Sequence, residues 1–348
     1  MSERKFVVAL TGDFNDDSGA PKFRDIGLSV LAGNPHIEQR VFKQHRNPIE
    51  AEQIEGAQGV IVLTPAITAQ SVAKSESLLV MARFGVGYDN VDVKACTAAN
   101  VLVTITVGAV DRPVAEAAVG WMIALGHNMR AKDGLVRTGQ WNERSKYMGC
   151  ELRERTLGVV GLGGIARKLI DLLRSFGMKQ PLAFDPFAKP EMAASLGVRL
   201  VSLDELLGQS DFVSIHCPLT EQTHGLIGAR QLALMKPGAY LLNTARGGIV
   251  DEDALYEALK NRRIAGAALD CFAQEPVTTP HRFGELDNVL LAPHSIAWTN
   301  ELFRDIGQTA CQVMVDLSLG ARPRGVLNPE LFDRPEFQAK WKPFQKHS

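Results

Sequence analysis

The first hundred residues alternate short, almost continuously apolar runs with longer polar stretches. The apolar runs cover residues 6–10, 59–64, 78–84 and 101–106. Uninterrupted apolar runs of this length are typical of strands that are covered on both faces, as in a parallel sheet. The polar stretches between them are compatible with helices. This alternation predicts an α/β unit.

A long helical pattern follows, from about Pro113 to about Arg130. Pro113 suits the first turn of a helix, where its missing N–H group costs nothing. A second alternating series begins near residue 157. We expect its strands at 157–161, 181–185, 212–216, 239–243, 265–269 and 288–291. We expect helices at 163–176, 228–236 and 251–260, and a last helix at about 299–318.

Six strands with helices between them, opening on a glycine-rich turn, describe a doubly wound dinucleotide-binding fold. We therefore predict an α/β protein with two doubly wound parallel-sheet domains. A Rossmann domain at 108–295 is expected to be inserted into a flavodoxin-like substrate domain, which is formed by 1–107 together with 296–348.

The turn that opens the second series reads Gly161-Leu-Gly163-Gly164-Ile-Ala166 and matches G-x-G-x-x-G/A. Gly161 permits the tight turn, Gly163 lets the backbone approach a pyrophosphate, and Ala166 lets the helix pack closely on the strand. The helix N-terminus then offers N–H donors to the phosphates. The match is informative because an apolar run precedes it and a helical pattern follows it.

An acidic residue, Asp185, ends the next predicted strand, 24 residues after Gly161. A carboxylate at this position can accept hydrogen bonds from the ribose hydroxyls of adenosine, and it repels the 2′-phosphate of NADP. Pro186 and Phe187 follow and offer no cation for that phosphate. The sequence therefore favours NAD as the cofactor.

Three later strand ends of this series carry polar residues that suit chemistry. Arg246 follows one predicted strand, Glu275 lies in the segment after the next, and His294 follows the last. Ligands of open α/β sheets bind beyond the carboxyl ends of the strands. Residues that lie tens of positions apart can therefore meet at one crevice.

These motifs resemble those of the D-isomer-specific 2-hydroxyacid dehydrogenase family, the group of phosphoglycerate dehydrogenase, glyoxylate reductase and D-lactate dehydrogenase. The likeness runs through most of the chain. It rests on the segments Arg83–Asp92, Val114–Glu116, Gly161–Ala166, His216–Thr220, Asn243–Gly247, Asp270–Pro276 and Pro293–His294. The resemblance implies an NAD-dependent enzyme that interconverts a D-2-hydroxy acid and its 2-oxo acid by hydride transfer.

By this resemblance, Arg246 binds the substrate, because a guanidinium group can grip both the carboxylate and the C2 oxygen. His294 is then the general acid/base, for which an imidazole suits both directions of the reaction. Glu275 holds the imidazole ring and stabilises its protonated form.

Further contacts follow from the resemblance alone. The residues expected at the cofactor, from the pyrophosphate to the adenine and nicotinamide sides, are Ile165, Cys217, Pro218, Thr223, Ala245 and Asp270. The backbone N–H groups of Val86 and Gly87 are expected to bind the substrate carboxylate. His216 is interpreted as a structural or cofactor-packing residue.

The segments near the expected substrate depart from the phosphoglycerate subgroup. Residues 63–68 contain no arginine for a phosphate, and Ile296 and Trp298 make the segment after His294 bulkier and more apolar. We therefore predict a substrate with an apolar or compact side chain. Arg83 and Arg112 are possible substitute cations, which keep phosphoglycerate dehydrogenase open as an alternative.

Other functions share this fold. Formate dehydrogenases pair their histidine with glutamine, so Glu275 favours hydroxy-acid chemistry, whereas phosphite dehydrogenase is not excluded. A different class is the NAD-sensing corepressor scaffold, which keeps the fold and binds partner peptides. The presence of Arg246, Glu275 and His294 favours an enzyme over such a scaffold.

Composition and charge exclude several classes. The 348 residues are 45% hydrophobic and 22% charged, with a formal net charge of -1. This argues against a partner such as nucleic acid or an acidic membrane, which usually requires a basic face. No stretch approaches the roughly 20 apolar residues of a membrane helix.

The five cysteines are scattered and form no CxxC pair, so we expect reduced thiols, no metal site and a cytoplasmic location. The family resemblance further implies a homodimer. The helix from Pro113 and the segment Gly139–Trp141 are apolar enough to be buried at its interface.

Overall fold

The computed structural model describes residues 5–345, which form two compact units. The first unit consists of the described parts of Met1–Val110 and Trp298–Ser348, and the second is Asp111–Ala297. Each unit contains one parallel sheet with helices in its crossover connections.

The first unit is built on a five-stranded parallel sheet. Its strands are β1 (Phe6–Leu10), β2 (Ile37–Val41), β3 (Gly59–Val62), β4 (Val80–Arg83) and β5 (Leu102–Thr104). Their order, β2-β1-β3-β4-β5, is the flavodoxin-like order. The connections contain the short helices α1 (Ser29–Ala32), α2 (Ala51–Ile54) and α3 (Val93–Ala98).

All four strands predicted in this region are present, with slightly shorter ends. The fifth strand, β2, was missed. It lies at the edge of the sheet, and Ile37 is its only buried residue, so it lacks the apolar run that identifies the others.

The single helix predicted from Pro113 to Arg130 is wrong in its extent. The structure has α4 (Asp111–Gly126) and a separate helix α5 (Met129–Arg137). Gly126 lies so close to the chain at Cys150 that an added Cβ would be 2.9 Å from its carbonyl oxygen. Asn128 then adopts a left-handed conformation, with φ of 52°, which ends the helical path.

The second unit is built on a seven-stranded parallel sheet. Its strands are β6 (Leu157–Val160), β7 (Leu182–Phe184), β8 (Arg199–Leu200), β9 (Phe212–Ile215), β10 (Tyr240–Asn243), β11 (Gly266–Leu269) and β12 (Val289–Leu291). The strand order is β12-β11-β10-β9-β6-β7-β8. The six predicted strands are confirmed, and the two-residue edge strand β8 was missed because neither of its residues is buried.

The direction of strand addition reverses between β6 and β9, which are neighbours in the sheet. Such a reversal is the switch point at which doubly wound folds bind ligands. The helices of this unit after β6 are α6 (Gly164–Leu172), α7 (Pro190–Ser195), α8 (Leu203–Gln209), α9 (Ala229–Leu234) and α10 (Glu252–Lys260).

Both faces of the second sheet are covered by apolar cores. Successive strand residues point to opposite faces, so Leu241 of β10 joins one core and Leu242 joins the other. The same division separates Val159 from Val160 in β6. A sheet covered on both sides explains why these strands read as continuous apolar runs.

The chain returns to the first unit through α11 (Asn300–Ser318) and α12 (Pro335–Trp341). The buried side chain of Asn328 accepts a hydrogen bond from the backbone N–H of Val103 in β5 at 2.9 Å. Trp341 donates its indole N–H to the carbonyl of Leu317 at 2.9 Å. Within residues 5–345, no helix combines the length and apolar character that crossing a membrane requires.

Candidate active site

The turn after β6 requires glycine at its first position. Gly161 has a φ of 92°, which disfavours any residue with a side chain. An added Cβ would also lie 2.8 Å from the backbone nitrogen of Cys217, in the segment that follows β9. Gly161 therefore lets the loops after β6 and β9 meet at the switch point of the sheet.

The next two glycines differ in their surroundings. Gly163 precedes the first residue of α6 and is exposed, with no heavy atom within 4 Å of an added Cβ. At Gly164, by contrast, an added Cβ would collide with the Asp111 carboxylate at the start of α4. Ile165 is partly buried, and Ala166 is completely buried. The open backbone at Gly163 and the N–H groups of α6 fit a pyrophosphate.

Asp185 lies directly after β7 and beside the glycine turn. One carboxylate oxygen accepts the N–H of Leu162 at 2.8 Å, and the other accepts the N–H of Phe187 at 2.8 Å. Each oxygen retains a second lone pair for a ligand hydroxyl. The two backbone hydrogen bonds therefore fix the acid at the edge of the turn, as an adenosine ribose requires.

The segment after β9 contains His216, Cys217 and Pro218. Burial lowers the pKa of His216 to about 4, and its Nε2 lies 2.8 Å from the hydroxyl of Ser214. Burial raises the pKa of the Cys217 thiol to about 11. Thr223 donates its hydroxyl proton to the Pro218 carbonyl at 2.6 Å and so closes this loop. Because its pKa lies well below 7, the His216 side chain is neutral near pH 7.

The loop after β10 carries Arg246. Asn243, buried at the end of the strand, donates its side-chain amide to the Arg246 carbonyl at 2.8 Å and accepts the N–H of Ala245 at 3.1 Å. Arg246 Nη1 donates to the Ala245 carbonyl at 2.6 Å. The Asn243 side chain therefore holds the loop that carries Arg246. Sequence analysis had proposed no role for Asn243.

Gly247 brings the loops after β10 and β11 into contact. An added Cβ at this position would collide with the backbone of Phe272 and Ala273. The loop that carries Arg246 thus lies directly against the loop that carries Glu275. Sequence reasoning missed this contact, for which the one available signal was the glycine that follows Arg246 at the strand end.

Asp270 connects the loop after β11 to the segment after His294. Its Oδ1 accepts the N–H groups of Ser295 at 2.8 Å and of Ile296 at 3.1 Å. Burial raises the pKa of Asp270 more than these two hydrogen bonds lower it. The observed role of Asp270 is to anchor the segment after His294. Its expected contact with the nicotinamide stays a prediction.

His294 and Glu275 form a hydrogen-bonded pair. Nδ1 of His294 lies 2.8 Å from Oε2 of Glu275, while Oε1 of Glu275 accepts the N–H of Phe272 at 2.9 Å. Their side chains remain 45% and 34% exposed. The pairing leaves Nε2 of His294 as the nitrogen that can meet a substrate.

Opposing influences act on the pKa of Glu275. Burial raises it, but the hydrogen bonds from His294 and Phe272 and the charges of His294 and Arg246 together lower it below its ordinary value. Glu275 is therefore a carboxylate near neutral pH. Because the charge of Arg246 acts on Glu275, the three residues that were expected to carry the chemistry lie near one another in the second unit.

Val86 and Gly87 lie in the first unit, in the segment after β4, and both are partly buried. Their contact with a substrate carboxylate stays a prediction. Trp298 begins the C-terminal part of the same unit and is 56% exposed. Its ring packs edge-on against Phe23 and Phe303, with centroid distances of 6.0 and 5.1 Å.

Comparison with known proteins identifies the family. Residues 119–295 match the family model described as D-isomer specific 2-hydroxyacid dehydrogenase, NAD binding domain. A glyoxylate reductase from Korarchaeum cryptofilum is 36% identical over 312 residues, which cover 88% of this chain and 93% of that protein. The chain belongs to the D-isomer-specific 2-hydroxyacid dehydrogenase family and contains its NAD-binding domain.

Other relatives differ in length and in the function their names give. A D-3-phosphoglycerate dehydrogenase from Archaeoglobus fulgidus is 34% identical over 324 residues, or 89% of this chain, but the match spans only 61% of that protein. The crystal structure of D-lactate dehydrogenase from Aquifex aeolicus, complexed with NAD and lactic acid, superimposes with a TM-score of 0.76 at 26% identity. The match covers 90% of this chain and 96% of the Aquifex chain.

Proposed function

We propose that the protein is an NAD-dependent oxidoreductase that interconverts a D-2-hydroxy acid and its 2-oxo acid. The observation that carries this proposal is the hydrogen-bonded pair of His294 and Glu275, beside which the charge of Arg246 helps to lower the pKa of Glu275. The family's named members are dehydrogenases and reductases, which supports the same reaction class.

The pair suits proton transfer in both directions. During oxidation, Nε2 of His294 accepts the hydroxyl proton of the substrate, and the Glu275 carboxylate stabilises the resulting imidazolium through Nδ1. During reduction, Nε2 returns a proton to the new alkoxide oxygen. The bound cofactor would accept the hydride as NAD during oxidation and supply it as NADH during reduction. Glutamate suits this cycle better than glutamine because its charge stabilises the protonated ring, which favours hydroxy-acid over formate chemistry.

Arg246 is proposed to bind the substrate carboxylate and the C2 oxygen. A guanidinium group is charged throughout the physiological pH range and donates hydrogen bonds in a planar fork, which matches a carboxylate. The Asn243 side chain holds the loop that carries it. This arrangement would orient the reacting carbon. For the first unit, the backbone N–H groups of Val86 and Gly87 are proposed to bind a substrate carboxylate.

NAD is proposed as the preferred cofactor because of Asp185. The residue lies beside the glycine turn with both oxygens fixed by backbone N–H groups. A carboxylate there accepts ribose hydroxyls and repels a 2′-phosphate. Gly161, Gly163, Gly164 and Ile165 would hold the pyrophosphate, and the remaining proposed cofactor contacts are Cys217, Pro218, Thr223, Ala245 and Asp270.

The proposed substrate carries an apolar or compact side chain. The segment after His294 leads to Trp298, whose exposed ring extends an aromatic cluster with Phe23 and Phe303. Leu63 and Thr64 stand where phosphate-binding arginines would be expected. 3-Phosphoglycerate remains the second candidate, since the Archaeoglobus relative is named for it.

A homodimer is proposed through the region of α5 and the short helix Trp141–Tyr147. Val136, Trp141 and Met148 are exposed there, with 65%, 63% and 81% of their surfaces accessible, and they line a common apolar depression. Exposed apolar groups of this size are typical of protein interfaces. A location in the cytoplasm accords with the five cysteines, none of which forms a disulfide.

Oxidation of NADH in the presence of a panel of 2-oxo acids tests the proposal. The panel contains glyoxylate, pyruvate, 4-methyl-2-oxopentanoate and phenylpyruvate, with NAD reduction by 3-phosphoglycerate measured in parallel. We expect turnover of 2-oxo acids whose side chains are uncharged and a loss of about 10²- to 10⁴-fold in kcat for His294→Ala. Tight NADH binding without turnover of any compound would instead favour an NAD-sensing scaffold, and an unchanged His294→Ala rate would refute the acid/base role.

A further inference from the structure

Cys271, Glu275 and His294 bring three different metal-binding groups to one place. The sulphur of Cys271, a carboxylate oxygen of Glu275 and a ring nitrogen of His294 all lie within 4.8 Å of one another. The proposed reaction uses the glutamate and the histidine but gives the thiol no role. We propose that the three side chains form a zinc site, and that zinc bound there inhibits the enzyme.

The set of donors matches the preferences of zinc. Thiolate, imidazole and carboxylate are the protein ligands of this ion, at about 2.3 Å from sulphur and about 2.0–2.2 Å from nitrogen or oxygen. Tetrahedral donors at these bond lengths are about 3.3–3.8 Å apart. The present separations reach that geometry through side-chain movements of on the order of 1 Å. A fourth position remains for water.

The surrounding contacts hold the ligands in place. Cys271 and Glu275 belong to the same loop, in which the Phe272 N–H holds the glutamate. His294 precedes the segment that Asp270 anchors. Two ordered loops therefore present all three donors, and zinc binding needs little rearrangement of the backbone.

The exposure of the three residues suits an ion that enters from solvent. Glu275 and His294 are partly exposed, whereas the Cys271 thiol is buried and lies 3.4 Å from the Ala245 carbonyl. When the thiolate–zinc bond forms, the S–H bond breaks and its proton is released to solvent; the hydrogen bond that is lost is a weak one, because a thiol is a weak donor. The soft sulphur ligand also selects zinc over magnesium and calcium, which prefer oxygen.

Zinc at this site would disable the catalytic histidine. Nδ1 is the nitrogen that faces Glu275, so a metal held between the two residues occupies Nδ1. The single remaining ring proton then resides on Nε2, which has no lone pair to accept the hydroxyl proton of a substrate. Glu275 also loses its partner. This inhibition rests on the proposed function, whereas the binding of zinc does not.

Cobalt(II), which takes the same ligands as zinc and absorbs light, tests the site without any substrate. We expect the 348-residue protein, free of cofactor, to bind one cobalt ion with a near-ultraviolet band from the sulphur–cobalt bond. Cys271→Ser should abolish this band, while Cys150→Ser, which removes another thiol of the same unit, should retain it. Circular dichroism of each variant verifies folding.

Glu275→Gln keeps the thiol and is expected to retain the band but to bind cobalt on the order of tenfold more weakly. Absence of the band in the wild-type protein, or its persistence in Cys271→Ser, would overturn the proposed site.

Inhibition is measured with zinc chloride, and each variant is compared with its own zinc-free rate. We expect micromolar zinc to inhibit the wild-type and Cys150→Ser proteins, with recovery after EDTA. Cys271→Ser should need at least about tenfold more zinc. Equal sensitivity of all three proteins would overturn the inhibitory site. A protein that binds cobalt through Cys271 but turns over no 2-oxo acid would refute the proposed function and support the metal site.

Discussion

The carboxylate of Asp270 accepts the backbone N–H of Ser295 at 2.8 Å, and this contact ties the loop after β11 to the residue that follows His294. The same oxygen accepts the N–H of Ile296. His294 itself has a φ of 52°, a left-handed conformation that is uncommon for residues with a side chain. The two hydrogen bonds help to hold the segment that follows this conformation.

Replacement of Asp270 tests this anchoring contact. Asp270→Ala leaves two partly buried N–H groups without their partner, at a cost of about 1–3 kcal/mol in unfolding free energy for each group. We expect kcat to fall by up to about 10²-fold, because small displacements of a catalytic group have effects of this size. Asp270→Asn keeps an acceptor oxygen and should recover most of the rate. Steady-state kinetics and urea unfolding measure both effects, and equal losses in the two variants would contradict the anchoring role.

Substitutions at Gly161 and Gly163 are expected to affect different properties, namely stability at Gly161 and cofactor binding at Gly163. Gly161→Ala forces a side chain into a left-handed conformation and against Cys217, so we expect a loss of about 1–3 kcal/mol in stability. Gly163→Ala meets no neighbour and should change stability by less than about 0.5 kcal/mol. Its methyl group should nevertheless weaken NADH binding. Urea unfolding without cofactor and fluorescence titration with NADH distinguish the two, and equal destabilisation would argue against this account of the turn.

Asp185 is expected to determine the preference between the two nicotinamide cofactors. Asp185→Asn removes the charge that repels a 2′-phosphate but keeps an oxygen for a backbone N–H. We expect the ratio of kcat/KM for NADH to that for NADPH to fall by about 10- to 100-fold, the range for a hydrogen bond to a charged group. Asp204→Asn, which alters an exposed acid paired with Arg230, is the matched control and should leave the ratio unchanged. An unaltered ratio in Asp185→Asn would remove the basis for the NAD preference.

The lowered pKa of the buried His216 predicts that the stability of the protein depends on pH. Its pKa is lowered from 6.5 to about 4 in the folded protein, so between these values the unfolded chain binds a proton that the folded protein does not. The free energy of unfolding is therefore expected to decrease as pH falls from 6.5 toward 4. His216→Asn should lose less stability than the wild-type protein between pH 7 and pH 5, as measured by urea unfolding. Identical losses would show that the histidine is not kept neutral by burial.

The fold was predictable where burial leaves a mark on the sequence. Strands covered on both faces, such as β6 and β10, appear as apolar runs because every residue is buried. The edge strands β2 and β8 are largely exposed and carry no such mark, so they were missed, whereas the edge strand β5 is buried throughout and was predicted. The break between α4 and α5 was missed because Asn128 adopts a conformation that apolar spacing cannot reveal.

For the candidate site, the sequence predicted which residues follow the strands but not the contacts between the loops that carry them. The motifs indicated that Arg246, Glu275 and His294 follow neighbouring strands, but not how their loops meet. Asn243 sets the loop of Arg246, and Asp270 anchors the segment after His294. These contacts join residues that are separated along the chain or act through backbone groups, so no periodicity of side chains records them.

The contact of Gly247 with the backbone of Phe272 has a consequence for how the protein can change. Because the two loops touch without an intervening side chain, neither can gain bulk unless the other retreats. Substitutions in one loop are therefore expected to be strongly epistatic with substitutions in the other. Variant libraries that mutate the loops after β10 and β11 together should recover active enzymes that single-loop libraries cannot reach.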